Sequence, residues 1–178
     1  MAERSNRIQV AVLAKTVYLR PSGFALQSNS LGIPDFLRAM FRAGCNSAVF
    51  DLADCAGMDS TFLGVIADAA TALPHRRGRT VAVLNAGERA TRQLHRVGLL
   101  PLVTLRTEPT TLPERIHLRE VDFVDVPRTE NQRLERVRDL HQQLVDLNSG
   151  NRELFGTFVE MLNRELGRGP GRAPEGQP

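Results

Sequence analysis

The chain has 178 residues, 42% hydrophobic and 24% charged, with a net charge of +3. That is enough apolar material for one core of about 100–150 residues, with some chain left for an appendage, and it excludes collagen-like, mucin-like and wholly disordered classes. No apolar run approaches the roughly 18–20 residues of a membrane span, and MAERSNRIQV lacks the apolar stretch of a signal peptide, so the cytoplasm is the expected compartment, with no membrane partner. Residues 8–19 read as strand, with Ile8, Val10 and Val12 before a hairpin tip at Ala14-Lys15 and Val17 and Leu19 after it. Pro21-Ser22-Gly23 reads as a turn. Phe36, Leu37, Met40 and Phe41 share one face of a helix predicted over 31–43, and Gly44 is placed to stop it. Residues 47–52 form a short, nearly continuous apolar run, as expected of a strand covered on both faces. A helix is predicted over 60–73, with Asp59 and Ser60 at its start and Pro74 at its end. A strand over 80–84, a helix over 88–97 closed by Gly98, and a strand over 102–105 follow. The order ββαβαβαβ predicts an α/β fold, a mixed β-sheet with helices packed on it. The first strand pair is expected to be antiparallel because its link is so short.

After residue 106 the pattern breaks. Pro109, Pro113 and Pro127 punctuate a stretch read as a linker over 109–129, with Asp122-Phe123-Val124 at most a scrap of strand. Leu134, Val137, Leu140, Leu144 and Leu147 then draw a narrow helical stripe over 130–147. Residues 148–151 interrupt it and a second helix runs over 152–166. The expected organisation is a first domain over 1–108, the linker, a C-terminal helical hairpin over 130–166, and a disordered Gly/Pro-rich tail over 167–178. The stripe suits either a homo-oligomer or a cover over the first domain.

Little conventional chemistry stands out. Cys45 and Cys55 do not form a C-x-x-C pair, and His75, His95, His117 and His141 are scattered without metal-ligand spacing. No metal and no cofactor are expected. Lys15 is the only lysine among 23 basic residues, and the densest basic cluster is a short loop at 75–79. With one Tyr, no Trp and no reading motif, nucleic acid is not an expected partner.

The informative segment is 51–66, DLADCAGMDSTFLGVI. A strand delivers the chain into a tight loop, and Asp59-Ser60 opens a helix. Ser60 is thus expected on an exposed loop at a helix N-terminus. A phosphate there would meet free backbone N–H groups and the positive end of the helix dipole. It would add about −1.5 to −2 of charge beside Asp51, Asp54 and Asp59. Such a change leaves the helix intact and alters the surface a partner meets. Spacing alone favours a plainer reading, in which Asp59 or Ser60 only caps the helix. A third reading makes Asp51, Asp54 and Asp59 a Mg²⁺ site for phosphoryl transfer. Against it, the chain has no G-x-x-x-x-G-K-S/T loop and no convincing Ser/His/Asp arrangement, so no catalytic residue is assigned and the chain is not expected to be an enzyme.

The same segment resembles the signature of the STAS domain family, the anti-sigma factor antagonists. Asp51-Leu52, then Met58-Asp59-Ser60-Thr61, then Leu63-Gly64-Val65-Ile66 match that pattern in place. Val83-Leu84-Asn85 and Arg96-Val97-Gly98-Leu99 resemble the family's later strand, helix and Gly-Leu turn, and the likeness covers roughly residues 8–106. Phe62 departs from it, since many members carry Gly there. An aromatic at that position either packs into the core or alters the partner-facing surface. The resemblance implies a STAS-like fold followed by an α-helical extension. It implies an anti-sigma factor that is also a serine kinase as partner, and a serine phosphatase that resets the switch. Ser60 would be the phosphorylated residue, with Thr61 the second choice. Asp54, Asp59, Ser60, Thr61, Phe62 and Gly64 would form the partner-binding surface. The unphosphorylated form would hold the anti-sigma factor and free a sigma factor for transcription. The rival is an unswitched scaffold or oligomerisation module.

Overall fold

In the computed structural model, β1 (Arg7–Leu13) and β2 (Thr16–Ala25) form an antiparallel hairpin. Residues 6–72, 80–123 and 129–167 are described. The expected tip is where the chain turns. Ala14 and Lys15 take φ of 48° and 64°, the left-handed pair that a two-residue hairpin turn requires.

The Pro21-Ser22-Gly23 turn does not occur. Pro21 lies within β2, opposite Ile8 of β1. The reason is a change of neighbour on the other side of β2. Its first half pairs in parallel with β3 (Ser47–Asp51), up to Leu19 opposite Phe50. Its last residues pair with β4 (Cys55–Met58), from Gly23 onward, with a register shift between Gly23 and Phe24. Pro21 falls in the gap between the two, where β2 has no paired residue on that side and a residue without an N–H is tolerated.

Next come α1 (Gln27–Ser30), α2 (Ile33–Arg42), α3 (Ser60–Ala72), β5 (Thr80–Leu84), α4 (Glu88–Arg96) and β6 (Thr104–Arg106). The short helix α1 precedes the predicted helix, and two strands were not expected. β4 occupies a segment read as loop. β7 (Arg119–Val121) occupies part of the predicted linker and pairs antiparallel with Ile8–Val10 of β1. Among the described residues the strands form one seven-stranded sheet in the order β6-β5-β3-β2-β1-β7, with β4 set beside β2. Val124, the basic cluster at 75–79 and the tail beyond Gly167 lie outside the described residues.

Register aligns the apolar residues. Val10, Leu19, Phe50 and Val83 stand side by side across four strands, as do Val17, Ala48 and Val81 across three. All are buried, whereas Val49 and Ala82 on the opposite face are only half-buried. The sheet is therefore not covered equally on both faces, as the apolar run had suggested. α3 lies over the Phe50 face, where Phe62 meets Phe50 edge-to-face at 6.0 Å. Onto the far side of α3 packs α5 (Glu130–Leu147), backed in turn by α6 (Asn151–Glu165). Every residue from Thr61 to Ala70 is buried because α3 is the middle of three layers.

The helical extension is two helices, α5 and α6, parted where residues 148–151 interrupt the pattern. Thr129 caps α5 reciprocally, its Oγ1 accepting from the Gln132 N–H while the Thr129 N–H donates to Gln132 Oε1. The middle of the stripe, Val137, Leu140 and Leu144, is buried, and Leu140 and Leu144 belong to the same core as the sheet.

Candidate functional site

Asp59 is the residue on which the site is built. Its Oδ1 accepts from the Phe62 N–H at 2.9 Å, the cap geometry that an acidic residue before a helix predicts. Its Oδ2 accepts from the Gln27 N–H at 2.7 Å, which fastens the start of α1 to the start of α3. The Asp59 N–H donates to Ala25 O, where β2 ends. One residue thus fixes where the end of β2 and two helix N-termini meet, and Ser60 follows as the first residue of α3.

Ser60 is half-buried and not on an exposed loop. Its Oγ lies 2.8 Å from His141 Nε2 on α5. His141 Nδ1 lies 2.8 Å from Val137 O, and a carbonyl only accepts, so Nδ1 carries the proton. Nε2 then presents a lone pair, and the Ser60 hydroxyl donates to it. Burial pushes the His141 imidazole below its usual range, against the opposing pull of the Val137 carbonyl and the Asp59 charge, which keeps the ring neutral. Phe158 and Phe155 stand against that ring with centroids 4.8 and 5.9 Å away. In the sequence His141 is one of four scattered histidines. The available signal was its place within the Val137–Leu144 stripe, which puts it on the buried face of α5.

Gly64 and Asp68 lie on the same row of α3 as Ser60, four and eight residues on. A Cβ on Gly64 would stand 2.8 Å from both Leu140 Cβ and Leu140 O, so the missing side chain is what lets α5 approach. Asp68 is buried between two elements, taking Arg38 Nη2 of α2 at 2.5 Å and Gln143 Nε2 of α5 at 2.8 Å. Arg136 of α5 also pairs with Asp35 of α2.

The remaining residues of the expected surface divide. Thr61 is 2% exposed and Phe62 is fully buried in the core, the first of the two outcomes open to an aromatic there. Asp54 is exposed and lies 3.8 Å from Arg20. Asp51 is not on an acidic rim. It is fully buried, with Oδ2 held by Arg20 at 2.6 Å and Oδ1 by the Asn85 amide at 2.6 Å and the Ala53 N–H at 3.1 Å. Asn85 also exchanges two hydrogen bonds with the Thr110 backbone, which pins the chain after β6 to the end of β5. Asp51 and Asp59 spend their oxygens on internal donors, so the three carboxylates do not converge on a cation. Among the described residues no group of three His, Cys, Asp or Glu side chains stands close enough to hold a metal.

Two clefts flank this site. One, of about 220 Å³, opens beside Ser60 between α4 and α6, with Gln93, Arg96, Leu154 and Phe155 in its walls. The other, of about 460 Å³, lies on the far side of Asp59 and is lined by Gln27, Leu31 and Arg133.

The STAS domain profile matches residues 5–111, well over half of the chain. This chain belongs to the STAS domain family. The match takes in the strand, loop and α3 start on which Ser60 sits and stops short of the hairpin. Among solved structures, the chain resembles the anti-sigma factor antagonist SpoIIAA in its unphosphorylated form, at 16% identity and a TM-score of 0.48 over 58% of this chain and 89% of that one. It also resembles a Thermotoga maritima protein assigned as an anti-sigma factor antagonist, at 21% identity and a TM-score of 0.49 over 56% of this chain and 85% of that one. No curated protein matches the sequence.

Proposed function

We propose that the chain is a phosphorylation-switched protein-binding module of the anti-sigma factor antagonist kind. Unphosphorylated, it binds an anti-sigma factor that is also a serine kinase, and so favours sigma-factor-dependent transcription. Phosphorylation of Ser60 releases that partner, and a serine phosphatase restores the first state. The module acts in the cytoplasm and performs no catalysis of its own. Among the described residues no helix is long and apolar enough to cross a membrane.

The observation that carries this reading is the placement of Ser60 as the first residue of α3, directly after the Asp59 cap, within a STAS domain. A hydroxyl there stands in the first turn of a helix, at the positive end of its dipole, where a phosphate is electrostatically welcome. Thr61, the second hydroxyl of that turn, is buried and offers no route to a kinase, which supports Ser60 as the acceptor.

The test is peptide mass spectrometry on the protein isolated from its native cells, with a Ser60→Ala variant beside it. Phosphate mapped to Ser60 and absent from the variant is the expected result. Phosphate on Thr61 alone would keep the switch and overturn the residue. No phosphate under any growth or stress condition would remove the switch.

A further inference from the structure

We propose that the α5–α6 hairpin is a built-in competitor for the Ser60 face of α3, so that partner binding and phosphorylation both act on a form in which the hairpin has come away. This rests on reading that face as the partner-binding surface.

Three residues of one row on α3 are each met from α5. Ser60 bonds His141, Gly64 takes the Leu140 backbone at contact distance, and Asp68 accepts from Gln143. The occupant of the surface is therefore a segment of this same chain.

A phosphate on Ser60 and a seated His141 exclude one another. In the transfer, Ser60 Oγ bonds to the terminal phosphorus of a nucleoside triphosphate as the bond to the departing diphosphate breaks, and the hydroxyl proton passes to the kinase's base. The donor that held His141 Nε2 is then gone. Three charged oxygens must fit where a neutral imidazole, 2% exposed, sits against Phe155 and Phe158. By linkage, whatever closure costs phosphorylation, phosphorylation costs closure equally.

Among the described residues, the hairpin is also the least satisfied part. Among the described residues, four buried side-chain polar atoms lack a hydrogen-bond partner: Arg136 Nε, Arg138 Nε, Gln143 Oε1 and Asn151 Oδ1. All four belong to α5 or the start of α6, and none belongs to the sheet or to α1–α4. Gln143, whose Nε2 reaches Asp68, lies at the α3 interface, so opening returns its Oε1 to water and offsets part of the apolar burial at Leu140 and Leu144. The two helices keep contacts of their own, including the bond from Asn151 Nδ2 to Leu144 O, so they leave as a unit.

Native-state amide exchange on the full wild-type chain tests this, comparing residues 137–144 and 159–162 with β3 and β5. The hairpin amides should exchange together and at least about tenfold faster than those strands. Ser60→Glu should speed the hairpin by about a further tenfold and leave β3 and β5 protected. His141→Ala, which adds no charge, should act in the same direction. Equal exchange of hairpin and strands in the wild type would overturn the proposal, as would a hairpin indifferent to both substitutions. Should Ser60→Glu deprotect the strands as well, the wild-type comparison and His141→Ala decide. Exchange is read without kinase or partner. A Ser60 that never carries phosphate in cells would thus remove the phosphorylation switch and leave the hairpin result standing.

Discussion

Ser60 and His141 are 81 residues apart in the chain, yet the hydroxyl of one and Nε2 of the other are 2.8 Å apart. The bond requires a neutral ring, and burial supplies one by lowering the affinity of His141 for a proton. An unfolded histidine titrates near about 6.5. Below that pH the unfolded chain takes up a proton that the folded chain refuses, so stability falls as the solution is acidified, down to the lowered native value. Denaturant titrations between pH 7.5 and 5 should show this fall. A His141→Ala variant, less stable at pH 7.5, should show a flatter dependence over the same interval. An unchanged slope in the variant would place the proton uptake elsewhere.

Gly64→Ala should destabilise the protein by about 1–3 kcal/mol, the usual cost of forcing an extra carbon into a packed interface. The new Cβ would meet the backbone of Leu140, which cannot rotate away. Urea unfolding reads the loss. Gly156→Ala serves as control, since a Cβ there, inside α6, would meet only the flexible Arg152 side chain at 3.4 Å.

Arg20→Ala should be costly. It leaves the fully buried Asp51 carboxylate without its counter-ion, an arrangement typically worth about 3–5 kcal/mol. Arg7→Ala should change stability by less than about 1 kcal/mol, because its pair with Glu120 is exposed on both sides. Thermal unfolding of the two variants side by side gives the contrast. Similar losses would mean that the Asp51 cluster contributes no more than a surface pair.

Asp59→Ala removes a cap and a tie at once. A loss of about 0.5–2 kcal/mol is expected for the cap alone. Amide exchange should separate the two roles, since the Gln27 N–H loses its acceptor and α1 should lose protection beyond the general fall.

What the sequence made legible follows from where each element finds its stability. The ββαβαβαβ order, the Ala14-Lys15 tip and both hairpin helices declare themselves through local periodicity and turn chemistry. β4 and β7 did not, because three or four residues with one buried side chain at most have no period to read. They exist through backbone pairing to β2 and β1. Pro21 reads as a turn in the sequence because its tolerance within β2 depends on strands that arrive 26 to 37 residues later. At the site, Asp59 as cap and Ser60 as first helical residue were visible. Their cover was not, although one signal for it was present: from Thr61 to Ala70 only Asp68 is charged. A helix apolar on all sides is one with neighbours on all sides.

The order of these elements along the chain also governs how the molecule is made. α3 is complete at Ala72, but the helix that covers it spans Glu130–Leu147. At about 5–20 residues per second, a ribosome leaves that apolar flank bare for several seconds. Each nascent chain therefore passes through an interval in which that flank is open to other surfaces, a second nascent chain included, before its own α5 reaches the same ground.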